Sequence, residues 1–596
     1  MKSDNYKITQ YSVSSILNYV ENSQIAIPEI QRPFVWKGEE VRALIDSLYE
    51  GYPIGYLIVW QNSQVRVRGF GKGGTKKILI DGQQRVTALM AALLGKEVLD
   101  EQYQSCRIRI AFNPLAQTGD ERFAVCDEKH EQDSKWIPDI SIFFRRDFSF
   151  RQFEKEYKEA NPGEDFTPLE ESVDTLKEIV KHQVGVIELS FLLDIDVVSE
   201  IFIRINLQGK PLNQEDFVMS KISVNEEYGG DYIRNCIDYF CHLLREPSFY
   251  QVLQQNETDF FNSEYGQAVA WCQNGEKNLY IPSYADVLKV VLISYFGKVR
   301  IGDLVHLLSG RTGEKKGLTK KEISKKLSEE SFEKLGAGVK AFVCEKNFKG
   351  FQKALKKAGY CCSRLLYSQS VLNYCYAMYL LMDRQGIGEE ESESLLARWM
   401  TMVMLTGHYQ SGGEGTVLKD YANATEEGFA SYLAQIEELK LTEEFYDSIL
   451  PDKFASTTAR TAPFLVYVAT QCARGVHSLY SDVTIEELYK NKTESYQILP
   501  KTYLAKCGYK TREIYGQVAN LTYISKETKD IVKRKAPADY REKLEEVIGR
   551  EAITASLQEN GLTEKIFTAG EKDVTKILAD RRKQMALEIK EFYKTL

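Results

Sequence analysis

The chain has 596 residues, a formal net charge of −8 and only six histidines. A hydrophobic share of 43% and a charged share of 27% exclude an intrinsically disordered polymer, because this composition can bury large cores. The 85 acidic side chains against 77 basic ones exclude a uniformly basic nucleic-acid coat, but not local basic patches. At about 150 residues per domain, the length indicates about four structural units.

The amino-terminal segment and the hydropathy pattern favour a cytoplasmic protein. The segment MKSDNYKITQYSVSSILNYV has neither a continuous apolar core nor a small-residue cleavage site, so no secretory signal is expected. No run reaches the ~20 apolar residues of a membrane helix, which predicts no membrane association. The eleven cysteines lack CxxC spacing and are interpreted as reduced thiols, with no metal site expected.

Changes of pattern along the chain predict an α+β fold in three regions. Residues 1–225 alternate short β-rich runs such as YLIVW, KKILI and VGVIEL with amphipathic helices, which indicates an α/β domain. Residues 226–395 are mostly helical, with apolar residues recurring every three or four positions. Residues 396–596 are again helix-rich and end in the charged segment KILADRRKQMALEIKEFY.

The segment IPEIQRPFVW combines two prolines with a polar pair. Proline fixes φ and disfavours helix at the preceding residue, so the segment is expected to present Gln31 and Arg32 in a fixed direction. Apolar residues at helical spacing follow, and these are Val41, Leu44, Ile45 and Leu48.

The segment KKILIDGQQRVTALMAALLG predicts a buried strand, a turn at Asp81 and Gly82, and a helix from Gln83 to Leu94. A strand–turn–helix of this kind directs the amides at the start of the helix toward an anion, and glycine lets the backbone approach a ligand closely. Arg85 can bind phosphate oxygens with its guanidinium.

Among the polar residues of this segment, Asp81 is the better candidate for a general base or a metal ligand. Gln83 and Gln84 can orient a water molecule but cannot take its proton at neutral pH. The alternative is that Asp81 only caps the helix, although capping would not require two glutamines and an arginine in succession.

The segment IFIRINLQGKPLNQEDFVMSKI predicts a connection between two helices. Asn206 and Gly209 tolerate the left-handed conformation that ends a helix, and Asn213 can begin the next helix. A nucleotide-facing role for Asn206 and Gly209 is the alternative. The glycine-rich loop from Gly69 to Gly74 lacks the GxxxxGK[ST] spacing and is interpreted as a hairpin.

Two stretches are locally basic despite the acidic total. Residues 311–357 hold 14 basic and 6 acidic side chains, and residues 501–550 hold 12 and 7. Each stretch is compatible with a solvated helix face that carries ion pairs or with phosphate contacts to DNA. The second basic excess is concentrated in Lys526, Lys529, Lys533, Arg534 and Lys535.

Together, IPEIQRPFVW, DGQQR and FIRINLQGKPL resemble the domain-of-unknown-function 262 family, the ParB/sulfiredoxin-like N-terminal half of GmrSD-type restriction enzymes. The resemblance covers residues 10 to about 225. It implies a nucleoside triphosphatase and DNA sensor in bacterial anti-phage defence, with Mg²⁺ as the expected companion of the nucleotide. Its nucleotide site would comprise the residues from Asp81 to Arg85, with Gln31 and Arg32 in or beside the pocket.

The segments YQILPKTYL and NLTYISKETKDIVKRKAPADY resemble an HNH-type nuclease module, domain of unknown function 1524. Tyr496 and Gln497 stand where that family has an acid or histidine followed by a histidine, while Asn520 is retained. Lys529 replaces a further asparagine. An HNH site needs an imidazole base and a divalent cation, and no histidine follows His477, which is predicted to lie in a helix. The nuclease-like region is therefore predicted to be degenerate.

The leading hypothesis is a cytoplasmic defence protein whose DGQQR pocket hydrolyses a nucleoside triphosphate and thereby gates binding of double-stranded DNA, possibly modified. A second hypothesis is a non-enzymatic DNA or modification sensor that recruits a separate nuclease. A third is an active endonuclease that depends on Asn520 or His408. A homo-oligomer or a partner nuclease is compatible with each hypothesis.

Overall fold

In the computed structural model of the chain, strands and helices alternate up to residue 226 and helices dominate thereafter. Met1–Glu226 and Glu227–Leu596 form two separate units, while the three predicted regions stay a prediction. The structure describes residues 5–22, 24–26, 36–62, 76–99, 105–117, 119–193, 197–198, 201, 214–275, 277–310, 320–410, 412–570 and 572–596. The predicted hairpin at Gly69–Gly74 and the site candidates Gln31, Arg32, Asn206 and Gly209 lie outside these residues.

The first unit combines nine described strands with seven described helices. Its strands are β1 (Tyr6–Ser12), β2 (Ile25–Ala26), β3 (Leu57–Asn62), β4 (Lys76–Asp81), β5 (Val98–Leu99), β6 (Ser105–Cys106), β7 (Ile110–Phe112), β8 (Phe123–Val125) and β9 (Gln183–Leu189). Its helices are α1 (Val13–Glu21), α2 (Gly38–Tyr49), α3 (Gln83–Leu93), α4 (Glu128–Gln132), α5 (Phe150–Ala160), α6 (Leu169–Glu178) and α7 (Gln214–Val224).

Five strands form one mixed sheet in the order β1-β9-β3-β4-β2. The β1–β9 and β3–β4 pairs are antiparallel, whereas β3–β9 and β2–β4 are parallel. A register shift after Ile58 in β3 sets Asp81 opposite that residue. The end of β4 therefore lies beside the beginning of β3.

Alternation along the strands divides the apolar residues between the two faces of the sheet. Val59, Leu79 and Val186 belong to the main core of this unit, to which α1, α2 and α3 contribute. The four apolar residues at helical spacing in α2 are buried, and each such side chain stabilises the unit by roughly 1.5–3 kcal/mol. Ile58 and Trp60 belong to a smaller cluster.

The second unit is mainly helical within the described residues. Its first helices are α8 (Gly230–Leu243), α9 (Tyr250–Asn256), α10 (Thr258–Phe261), α11 (Glu264–Val269), α12 (Tyr284–Phe296), α13 (Ile301–Leu308), α14 (Lys320–Val343), α15 (Glu345–Lys357), α16 (Gln369–Arg384), α17 (Glu389–Thr406), α18 (Gly413–Glu427), α19 (Phe429–Lys440), α20 (Leu450–Lys453), α21 (Ala462–Ala473) and α22 (Ile485–Lys490). Phe351 stacks on Tyr376 with 4.6 Å between ring centroids, and Trp399 is fully buried.

Two short strands interrupt the helices near the carboxyl end. This part contains β10 (Tyr496–Gln497), α23 (Lys501–Lys506), α24 (Arg512–Tyr515), β11 (Leu521–Thr522), α25 (Lys526–Val532), α26 (Pro537–Ile548), α27 (Arg550–Glu559), α28 (Lys565–Thr568) and α29 (Val574–Tyr593). The α+β fold class is thus confirmed for the chain as a whole. No helix in the described part of the chain has the length and apolar character needed to span a membrane.

Candidate functional site

Gly82 occupies the turn between β4 and α3. It is buried, its φ is +95°, and a Cβ atom built on it would lie 2.2 Å from Cδ2 of Leu57. A residue with a side chain would therefore meet both an unfavourable backbone conformation and a steric overlap. Gly82, not Asp81, is the N-cap residue that precedes α3, and no side chain caps the helix there. The alternative interpretation of Asp81 as the helix cap is therefore wrong.

Asp81 and Arg85 form an ion pair across the first turn of α3. Nη2 of Arg85 donates to Oδ2 of Asp81 at 3.0 Å, and the two side chains are 19% and 23% exposed. Nη1 of Arg85 donates to the carbonyl oxygen of Ile54 at 2.9 Å. Arg85 therefore ties the loop before β3 to the end of β4 and holds the Asp81 carboxylate in place.

Gly55 provides the space that the Arg85 guanidinium occupies. Its φ is +86°, and a Cβ atom at this position would lie 2.7 Å from Nη1 of Arg85. The sequence does not reveal this contact, because a backbone carbonyl can accept a hydrogen bond at any residue type. The only signal in the sequence is the segment YPIG, residues 52–55, which contains Ile54 and Gly55.

The two glutamines differ in what the structure records for them. Nε2 of Gln83 donates to the carbonyl oxygen of Leu79 at 3.2 Å, which turns the amide back onto β4. Gln84 is half-buried and also takes part in an interaction. The loop before β3 adds two tyrosines that sequence reasoning did not select, Tyr52 and Tyr56, which are 60% and 55% exposed. Aromatic faces of this kind can stack on nucleobases.

A buried carboxylate joins three strands at the other end of the sheet. Glu188 on β9 accepts from Nζ of Lys77 at 2.6 Å, lies 2.9 Å from Nζ of Lys7, and also accepts from the hydroxyl of Tyr11. Burial by itself raises the pKa of Glu188, but these hydrogen bonds outweigh it and lower the pKa to about 2. The cluster fixes β1 and β9 relative to the strand that carries Asp81.

In the nuclease-like region, Asn520 has a structural role. Its side chain is fully buried, accepts from the Leu499 amide at 2.9 Å, and donates to the carbonyl oxygens of Leu499 at 2.9 Å and Tyr515 at 3.0 Å. These bonds fasten the segment after β10 to the start of β11. The amide of Asn520 therefore has its hydrogen-bonding groups occupied within the fold.

Tyr496 and Gln497, at the positions expected for histidine in the resembled nuclease, form β10. Nε2 of Gln497 donates to the carbonyl oxygen of Tyr515 at 3.2 Å, and its Oε1 accepts from the Lys501 amide at 3.2 Å. Burial raises the pKa of Tyr496 to about 12, so its phenol is neutral at ordinary pH. Neither side chain is a base at neutral pH.

The two histidines closest in sequence to this region are held by carboxylates. His477 pairs with Thr484 in an isolated bridge after α21 has ended, so the prediction that it lies in a helix is wrong. Its Nδ1 lies 3.2 Å from Oε1 of Glu559. His408 is nearly buried, and its Nε2 lies 2.9 Å from Oδ2 of Asp420.

The two basic stretches differ in the partners of their lysines. Five lysines of α14 and α15 form ion pairs with acidic side chains. They are Lys325, Lys340, Lys346, Lys349 and Lys353. This favours the solvated-helix interpretation for the described part of residues 311–357. By contrast, all five basic residues of the second excess are exposed, and none forms an ion pair with a described residue.

Across the described ranges, no three histidine, cysteine, aspartate or glutamate side chains converge as a group that could hold a metal ion.

Residues 13–223 match the family model described as GmrSD restriction endonuclease, N-terminal domain. The matched span falls within the first unit and includes the strand–turn–helix that carries Asp81 and Arg85. The chain thus contains a GmrSD-type N-terminal domain, and the resemblance seen in the motifs of this part is confirmed. No curated protein matches the chain. The nuclease-like character of the carboxyl-terminal region stays a prediction.

Proposed function

We propose that the chain is a restriction or anti-phage defence protein whose N-terminal domain hydrolyses a nucleoside triphosphate, and that the nucleotide state controls DNA binding by the C-terminal half. The observation that carries this proposal is the arrangement at the end of β4. There, Asp81 is held by Arg85 directly before a glycine that starts α3 without a side-chain cap.

The geometry suits a phosphate group. The amides at the start of α3 lack a side-chain cap, and amides at this end of a helix favour an anion. Gly82 permits the positive φ of the turn that leads from Asp81 into these amides. Tyr52 and Tyr56, on the loop that Arg85 contacts, offer exposed rings for the base.

Asp81 is the residue proposed to receive the proton of the attacking water. Its carboxylate has one oxygen bonded to Arg85, and no further partner appears among the described residues. Gln83 or Gln84 would orient the same water through an amide oxygen. The family's ParB/sulfiredoxin-like architecture also remains part of this proposal.

The donor set at this site fits Mg²⁺, which proteins commonly hold through one or two carboxylates together with substrate phosphates. As the alternative to its role as the base, Asp81 would bind the ion through the carboxylate oxygen that is not bonded to Arg85, and the glutamine amide oxygens are hard donors of the same type. When bound with the nucleotide, the ion would neutralise phosphate charge. Arg85 would hold Asp81 in place through their ion pair, and its remaining N–H groups would bind the phosphates.

The basic surface of α25 and the turn that follows it is proposed to contact DNA. Lys526 and Lys529 lie three residues apart on α25, where like charges on neighbouring positions of a helix repel one another. Intrahelical pairing therefore does not account for these exposed cations. A phosphate backbone would offset their repulsion.

The same region is proposed to bind DNA without cutting it. Gln497 and Asn520 use their amides inside the fold, and Lys529 is exposed on α25. An ammonium group would repel a divalent cation rather than bind it. The third hypothesis, a nuclease acting through Asn520 or His408, receives no support from the buried bonds of either residue.

The test is phosphate release by the purified full chain from a panel of nucleoside triphosphates with Mg²⁺. The Asp81→Asn variant should lose at least about a hundredfold in turnover, because a positioned general base contributes about 10²–10⁴. Asp174→Asn is the matched control, since Asp174 is exposed on α6 of the same unit.

Normal turnover by Asp81→Asn would reject the assignment of the site. DNA binding by a wild-type chain that releases no phosphate from any triphosphate would favour the non-enzymatic sensor instead.

A further inference from the structure

A cavity of about 650 Å³ opens at the carboxyl end of α3. Its lining includes Gly95, Glu97, Arg107, Asp139, Arg145 and Arg146. This volume falls within the roughly 300–1,000 Å³ of small-molecule sites. At about 1.5 Å per residue, the 11 residues of α3 separate the cavity from Asp81 by roughly 16 Å. The cavity is thus distinct from the proposed hydrolytic site.

Arg107 is fixed in the wall of this cavity. Its Nη2 donates to Oδ2 of Asp139 at 2.6 Å and to Oγ of Ser141 at 3.0 Å. Gly95 permits the approach of the guanidinium, because its φ is +67° and a Cβ atom on it would lie 2.4 Å from Nη1. That Nη1 is buried without a hydrogen-bond partner among the described residues. The guanidinium is therefore held in place by Asp139, Ser141 and its close approach to Gly95.

Arg145 and Arg146 bring positive charge to the same cavity. Both side chains are exposed, and neither forms an ion pair with a described residue. They follow the short helix Ile140–Phe144, which Asp139 caps by accepting from the Ser141 amide at 2.9 Å. Asp139 therefore neutralises Arg107 and positions this turn, whereas the two following arginines exceed the remaining acid of the lining, Glu97, by one positive charge. Glu97, the other acid of the lining, accepts from the Ser105 hydroxyl at 2.5 Å.

We infer that this cavity is a second phosphate-binding site, in which Arg145 and Arg146 bind the phosphate oxygens and Arg107 with Ser141 forms the fixed wall. Guanidinium groups bind phosphate oxygens through paired hydrogen bonds. The phosphate comes either from a nucleotide bound in the cavity or from the backbone of DNA laid across its mouth. The inference does not depend on hydrolysis at Asp81.

The test compares a double charge reversal in the cavity with a matched reversal elsewhere on the same unit. The cavity variant is Arg145→Glu with Arg146→Glu, and the control is Lys155→Glu with Lys181→Glu, whose lysines are 76% and 72% exposed. Both variants change the net charge equally, and all four side chains are exposed, so thermal melting should show a retained fold. Binding of inorganic tripolyphosphate, a mononucleotide panel and a DNA duplex is then measured on full-length protein that also carries Asp81→Asn.

We expect the cavity variant to bind at least one of these probes about tenfold or more weakly than the control, because it loses the charge-assisted hydrogen bonds of two arginines to phosphate and places two carboxylates there instead. A loss for tripolyphosphate and mononucleotides identifies a bound nucleotide, whereas a loss for the duplex alone identifies the DNA backbone. Equal affinities of the cavity variant and the control for all probes, or no binding of any probe by the parent protein, would overturn the inference.

Discussion

Two structural features restrict position 82 to glycine, and substitutions at two glycines can distinguish their effects. Its positive φ disfavours any side chain, and its closeness to Leu57 leaves no room for a Cβ atom. The same positive φ without crowding occurs at Gly51, where φ is +75° and a Cβ atom would meet no atom within 4 Å beyond its chain neighbours. The two glycines therefore form a matched pair within one unit.

Gly82→Ala is predicted to lower the free energy of unfolding by about 2–5 kcal/mol, because left-handed backbone costs about 1–2 kcal/mol and overpacking about 1–3 kcal/mol. Gly51→Ala should cost only the backbone part, about 1–2 kcal/mol. Urea denaturation of both variants measures the difference. Equal losses for the two variants would show that Leu57 does not restrict the turn at the proposed phosphate site.

In the last helix, α29, burial determines whether a carboxyl group is protonated. Arg581 and Glu588 on α29 are 2% and 6% exposed, and Nη1 of Arg581 donates to the carbonyl oxygen of Ala519 at 2.7 Å. Burial raises the pKa of Glu588 to about 7, although Arg474 and Arg581 oppose the rise. The folded protein therefore binds a proton at Glu588 at pH values where the unfolded chain has lost it.

The sign of the pH dependence follows from this difference. Between the unfolded value near 4.5 and the folded value of about 7, the folded state holds more protons, so the free energy of unfolding falls as the pH rises. Glu588→Gln should flatten this part of the stability curve, whereas the control Glu591→Gln, at an exposed position of α29, should leave it unchanged. Chemical denaturation from pH 5 to pH 8 tests this, and an unchanged slope in Glu588→Gln would contradict the assignment.

The elements around Asp81 could be predicted from sequence, whereas the partners of its side chain could not. Strand residues 76–80 and the helix from Gln83 follow from apolar periodicity and a glycine between them, and the structure confirms both. The bond from Arg85 to Ile54 depends on strand order, which no local pattern encodes. For the same reason, the buried bonds of Asn520 cannot be predicted from sequence, which leaves open the hypothesis of a nuclease that depends on this residue.

At the scale of the whole molecule, a net charge of −8 coexists with the basic surface of α25 and the turn that follows it. DNA binding through such a surface should weaken as salt rises, because bound phosphates release counterions. In Lys526→Ala with Lys529→Ala, the slope of log affinity against log salt should fall by about one for each lost phosphate contact. The control is Lys419→Ala with Lys440→Ala, two exposed lysines of the same unit. Equal slopes for the two double variants would remove α25 from the DNA-binding surface.

The central claim is that a nucleotide in the N-terminal domain controls DNA binding by the C-terminal half. The most direct measurement is the duplex affinity of the full-length chain, determined once with a non-hydrolysable triphosphate and once with the diphosphate. Coupling between two sites typically changes affinity by about 5–150-fold, so the account predicts at least a fivefold difference between the two nucleotide states. Equal duplex affinities, in protein shown to bind both nucleotides, would contradict it.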